Sequence, residues 1–211
     1  MNYLALIGDI CDSRKVQDRG QLQETLRRVL DQLNLAHDRA LSSPFTITLG
    51  DEFQALLSTA VPLWQMIAAI QNDLFPVRVR FGMGLGRIDT AINREAALGM
   101  DGSAFHLARD AMGTLKKDGG LFRIEGLPRG ELANHSLALV AHLQGQWQHN
   151  RFAVYRGYLA GQPVQGIAEA LGISKVAVYK NINDGLLETI SGISTAISAN
   201  MDDMLAGNHG V

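Results

Sequence analysis

The chain has 211 residues, 46% of them hydrophobic and 19% charged, with a formal net charge of -2. This is the composition of a globular domain with a smaller second unit, and it excludes a strongly basic nucleic-acid coat, an acidic tail and an apolar run long enough to span a bilayer. The lone cysteine, Cys11, excludes an internal disulfide and fits a reducing compartment.

The first residues enter an apolar strand with no basic n-region and no cleavage site, so the expected location is cytoplasmic, with no membrane partner. Tyr3–Ile7 is a short apolar run closed by Gly8-Asp9 and reads as a buried strand. Over Gln21–Leu41 the apolar residues Leu22, Leu26, Val29, Leu30 and Leu33 recur at helical spacing. Phe45–Leu49 and Phe53–Leu57 flank Gly50-Asp51-Glu52 as a hairpin. Ser58 or Thr59 is placed to cap a helix from Ala60 to Asp73, with Pro62 in its first turn. Val77–Gly86 alternates and then turns glycine-rich, as a strand does where something approaches its backbone. After a loop over Ile88–Gly99 come a helix, Ser103–Leu115, a Gly119-Gly120 turn and a last strand, Leu121–Ile124. The order β-α-β-β-α-β-α-β predicts an α+β fold with a mostly antiparallel sheet. GLPRG at Gly126–Gly130 divides this domain, residues 1–126, from an all-α unit, residues 131–211. The second unit holds helices over Leu132–Gln144 and Gln148–Leu159, a tight unit at Gln162–Leu187, and a tail helix over Thr189–Leu205. The final GNHGV is expected to fray.

Asp9 ends the first strand and Asp51 stands at the hairpin tip, each after a glycine. If the strand lies beside the hairpin, both carboxylates leave the same sheet edge. Two close carboxylates repel unless a cation sits between them. Mg²⁺ suits such a site, because it takes one or two carboxylates and completes its shell with water and phosphate. Mn²⁺ is read alongside it, and the Ile10 carbonyl could complete the protein ligands. Gly8 and Gly50 would let a ligand reach the main chain. Ser13 and Arg14 follow on the loop, where a phosphate could be held. An Asp at a turn also serves simply to satisfy backbone amides.

LALIGDICDSR followed by ITLGDEFQALL resembles the metal-aspartate motifs of class III nucleotide cyclases and the hairpin of GGDEF diguanylate cyclases. VRFGMGLGRI, GMDGSAFHLARDAM and KKDGGLFRI resemble the segments that follow, over about residues 1–125 and in the same order. With the C-terminal unit added, the pattern resembles the SatD family. The resemblance implies a ferredoxin-like, palm-type cyclase domain holding a nucleotide and a divalent metal, with Asp9, Ile10 and Asp51 at the metal and Ser13, Arg14, Gly50 and Arg109 at the nucleotide. The catalytic half departs from the pattern: Thr46-Ile47-Thr48 has no base-reading lysine, and His106 and Asp110 stand where the cyclases carry an Asn and an Arg. Binding is therefore expected more than cyclisation, and no catalytic residue is assigned.

In VQGIAEALGISKVAVYKNI, Ile167, Ala168 and Leu171 form one apolar face, Gly172 permits a left-handed turn, Ser174 caps the next helix, and Val178 and Ile182 face inward. That spacing predicts a helix-turn-helix over residues 163–187, and it resembles the DNA-binding units of bacterial regulators. On its second helix Ser174, Lys175, Ala177, Tyr179, Lys180 and Asn181 are placed to meet DNA, the lysines at phosphates and Asn181 at an adenine. The function expected is a DNA-binding regulator controlled by a metal-dependent nucleotide site. The alternatives are a nucleotidyl transferase or cyclase-like enzyme with altered catalytic residues, and a non-catalytic scaffold. A stripe at Leu187, Ile190, Ile193 and Ile197 predicts homodimerisation through the tail.

Overall fold

A strand covered on both faces must be apolar at consecutive positions rather than alternate ones. The first strand, β1 (Asn2–Ile10), is buried from Leu4 onward and lies at the centre of the sheet. The computed structural model describes residues 1–207. The fraying expected of the last residues falls at 208–211, outside the described residues.

The fold is mixed α+β. Five strands, β1, β2 (Leu41–Leu49), β3 (Glu52–Leu57), β4 (Val79–Arg87) and β5 (Phe122–Glu125), form one sheet in the order β2-β3-β1-β4-β5. All neighbours are antiparallel except β4 and β5. Helices α1 (Arg19–Ala36) and α2 (Leu63–Leu74) cover one face, where Leu4, Leu6, Phe53 and Phe81 are buried. Helix α3 (Ser103–Asp118) covers the other, against Ala5, Ile7 and Leu56.

The glycines of β4 let α3 sit close. A Cβ at Gly82 would stand 2.7 Å from the Ala108 carbonyl oxygen, and one at Gly86 2.7 Å from the Ala104 nitrogen. One at Gly84 would collide with the backbone of Ala104 and Ala108. The close approach read from the sequence is thus made by the chain's own helix.

Two of the predicted boundaries that move have a clear physical cause. The first helix stops at Ala36 instead of Leu41, because Leu41 opens the edge strand β2, which carries Pro44 where only an edge tolerates it. The second helix starts at Leu63 instead of Ala60, with no side-chain cap of its own. Thr59 Oγ1 and the Ala60 amide donate instead to Asp202 Oδ1, at 2.9 and 2.7 Å.

Asp202 belongs to α8 (Leu187–Leu205), the last of five helices after the sheet, which follows α4 (Gly130–Gln144), α5 (His149–Leu159), α6 (Val164–Leu171) and α7 (Lys175–Asp184). Gly126–Gly130 lies at the β5–α4 connection, yet one continuous apolar cluster runs from Leu4 through Trp147 and Val178 to Leu205. Leu187, Ile190, Ile197, Met201 and Leu205 of α8 are buried within it, and Ile193 packs against it. Exposing each of the five to free a dimer face would cost about 1.5–3 kcal/mol. The stripe read as a homodimer surface is therefore an internal one. Among the described residues, no helix is long and apolar enough to cross a membrane.

Candidate functional site

In an antiparallel ladder, residues directly opposite one another share a face. Asp9 lies opposite Glu52 on one side and opposite Arg80 on the other, so Glu52, Asp9 and Arg80 form a charged row across β3, β1 and β4. The next row, Phe53, Gly8 and Phe81, faces the opposite way. Gly8 is glycine because the Phe53 ring occupies the place of its Cβ, not to admit a ligand. The two rings meet edge to face across it, centroids 6.4 Å apart.

Asp9 and Glu52 are each 8% exposed, so their charge needs partners. Arg80 Nη1 donates to Asp9 Oδ2 at 3.0 Å. Helix α3 supplies the rest from positions two turns apart on one face. Arg109 Nη1 donates to Glu52 Oε1 at 2.7 Å, while Lys116 Nζ stands 2.9 Å from Asp9 Oδ1 and 3.9 Å from Glu52 Oε2. The Lys116 ammonium lies between the two carboxylates. Three cations face two carboxylates, leaving the cluster with one excess positive charge.

Beside the pairing expected from sequence, Asp9 with Asp51, the sheet register sets Glu52 directly opposite Asp9. A one-residue change of register reverses which face a side chain takes. Asp51 is turned to the β1–α1 connection, where its carboxylate accepts from the Ser13 hydroxyl. Its backbone oxygen accepts from the Ile10 amide at 3.1 Å. Gly50 sits beside it at the tip with φ 60°, the left-handed geometry glycine permits. Ser13 is buried and Arg14 exposed. So Ile10, Ser13, Gly50 and Asp51 gather at the hairpin tip, and Arg109 joins Glu52 under α3. His106 stands outside both groups, paired with Asp101 at 2.8 Å.

Among the described residues no group of three or more His, Cys, Asp or Glu side chains is gathered to hold a metal. Two carboxylates are enough for Mg²⁺ when phosphate and water complete the shell, so Asp9 and Glu52 could hold that ion only with Lys116 displaced from between them. Cys11 follows Ile10, half-buried, and burial pushes its thiol up while Arg80 and Arg78 pull it down. It is a protonated packing group rather than a nucleophile. The role of Glu52, Arg80 and Lys116 escaped the sequence reading. The usable signal was alternation: with Phe53 and Phe81 turned to the core, Glu52 and Arg80 must turn to the other face.

The second cluster is local. Gly172 closes α6 with φ 63°, and the Ile173 amide donates back to Ala168 O at 3.0 Å. Ser174 Oγ then accepts from the Ala177 amide at 3.1 Å and starts α7. Val178 of α7 is buried with Ile167 and Ala168 of α6. Of the four cations between Arg151 and Glu188, two are tied down: Arg156 donates to Asp73 at 2.7 Å and Arg151 lies 3.9 Å from Asp184. Lys175 and Lys180 are exposed on α7 beside Tyr179, itself 55% exposed. Ala177 and Asn181 are half-buried, and Asn181 Nδ2 donates to Ala177 O at 2.9 Å. Val176, 77% exposed, and Asn183 share the outer face and were not singled out from sequence.

The model of the SatD family matches residues 3–182, spanning the charged row, the hairpin tip and the α6–α7 unit as far as Ile182. The chain belongs to the SatD family. A search of the curated proteins finds no relative.

Proposed function

We propose that this SatD-family chain is a DNA-binding regulator whose helices α6 and α7 act as a helix-turn-helix. The observation that carries the reading is the outer face of α7, where Lys175, Val176, Tyr179, Lys180 and Asn183 are all exposed. Among the described residues no side-chain hydrogen bond or ion pair engages these five residues. Its composition suits a groove: two lysines for phosphates, Val176 for a thymine methyl, and Asn183 for a base edge. Selection from a random duplex library, followed by anisotropy titration, tests it. One enriched motif bound at least about a thousandfold tighter than bulk DNA is expected. Uniform weak binding, equal in the Lys175→Ala/Lys180→Ala variant, overturns it.

A second reading concerns the charged row. The β-α-β-β-α-β order with β1 central supports a palm-like domain. The cation excess around Asp9 and Glu52 supports a nucleotide phosphate bound there with Mg²⁺ or Mn²⁺. In that state the metal takes the two carboxylates, while Lys116, Arg109 and Arg80 turn to phosphate oxygens. Thermal unfolding with a nucleotide panel in either metal tests it. A ligand at a hundred times its dissociation constant stabilises by about 2.7 kcal/mol. The shift should vanish in Asp9→Asn/Glu52→Gln and survive Asp51→Asn. A shift that needs no metal, or none with any nucleotide, removes this reading and leaves the DNA-binding one standing.

A further inference from the structure

Where the sheet meets the later helices, the core leaves a cavity of about 110 Å³. It lies at the α2 end, the Phe75–Val79 link, the α4–α5 turn and the start of α5. Its inner wall is buried and its opening runs between Pro76 and Arg78 on one side and Gly145 on the other.

Three properties define what fits. The walls are aromatic: Trp147 packs edge to face on Phe152 at 5.2 Å, and Phe75 lies 5.7 Å from Phe152. One side is an amide pair, in which Gln71 Nε2 donates to Gln144 Oε1 at 2.9 Å. Gln71 is 7% exposed, and its own Oε1 is buried with no partner. A buried acceptor left empty costs about 1–3 kcal/mol, so the amide pair favours an occupant that brings a donor. At the opening Arg78 is exposed and, among the described residues, makes no ion pair. The volume is somewhat below the roughly 150 Å³ that takes one benzene ring.

We propose that this cavity is a binding site for a small planar heteroaromatic acid: a five-membered ring held between the aromatic walls, its ring N–H donated to the Gln71–Gln144 pair, its carboxylate at Arg78. The site is separate from the charged row and from α7, and it depends on neither reading of them. Its walls include α5, which packs on α7, so its occupant sits one helix away from the proposed DNA face.

The probe is pyrrole-2-carboxylate, titrated into the full chain while the two tryptophan indole N–H signals are followed by NMR. Trp147 lines the cavity and Trp64 does not. The Trp147 signal should shift saturably and the Trp64 signal should stay. Furan-2-carboxylate, which lacks the N–H, should bind about tenfold more weakly, and Arg78→Gln should weaken pyrrole-2-carboxylate about tenfold. Arg78 is exposed, so that variant folds. No Trp147 shift at millimolar probe, equal binding of the furan, or unchanged binding in Arg78→Gln would each overturn the assignment.

Discussion

Arg80, Arg109 and Lys116 lie against Asp9 and Glu52 beneath α3, whereas Lys175 and Lys180 stand on α7 with no ion-pair partner among the described residues. The first set is held in the ligand-free fold by two buried carboxylates. Asp9 and Glu52 are withdrawn from water, and a charge withdrawn from water must be neutralised where it sits. The second set keeps its hydration and is free to meet an external anion. Residues of the same kind thus serve cohesion in one place and contact in the other, and what separates them is burial of the counter-charge.

The strongest way to break the contrast is to lift α3 from the sheet. In Gly84→Ala the new methyl meets backbone atoms of Ala104 and Ala108, which cannot swing aside. A loss of about 3 kcal/mol or more is expected by urea denaturation, since overpacking against backbone lies at the high end of such effects. Gly113, on α3 itself, has open space about it. Gly113→Ala should stabilise by about 0.5–1 kcal/mol, because alanine is the better helix former. Equal effects at the two positions would mean that α3 is not seated as described.

The interior of the later helices is the uncharged counterpart of the row. Tyr155 packs on Trp147 at 5.4 Å, and burial pushes its hydroxyl up to about 12 against a hydrogen bond to Ser194 that lowers it. The folded state therefore favours the neutral phenol. That preference is fully present below the unfolded value near 10 and is lost as pH rises from there through about 12, a swing of about 2–3 kcal/mol. The stability difference between wild type and Tyr155→Phe should be flat to about pH 10 and fall above it. A difference that stays flat to pH 12 would mean water reaches the hydroxyl.

Asp9→Asn sharpens the contrast from within the row. It leaves the Arg80 guanidinium, only 20% exposed, without its carboxylate, and about 2 kcal/mol should be lost. Lys116 is 45% exposed and water can take over its charge, so a double-mutant cycle should give Asp9 a larger coupling to Arg80 than to Lys116.

What was legible in the sequence follows from how local each feature is. The α6–α7 turn could be read residue by residue, since Gly172 and Ser174 act on their own backbone within a few positions. The succession of strands and helices along the chain and the mixed α+β class were visible through periodicity. The place of Glu52 beside Asp9 was not, because only the pairing of Gly8 with Phe53 sets Glu52 opposite Asp9. Local spacing offers Ser58 or Thr59 as a cap for the next helix, but the partner of Thr59, Asp202, is a contact across most of the chain. The tail stripe was read correctly as apolar. Its destination was hidden, because hydrophobic spacing says that a face is buried and not against what.

The smallest expected change in stability carries the most about function. Lys175→Ala/Lys180→Ala removes two exposed side chains that anchor nothing in the fold, so urea midpoints should agree with wild type within about 0.5 kcal/mol. On DNA the same pair should act strongly. If each lysine neutralises one phosphate, the slope of log affinity against log salt should fall by about two, while the preferred sequence stays the same. Val176→Ser should do the reverse, leaving the salt slope intact and relaxing preference at one base pair, because a lost methyl contact carries no counterions. If both variants change the salt slope alike, the face binds phosphate without reading bases, and α7 is a docking surface rather than a recognition helix.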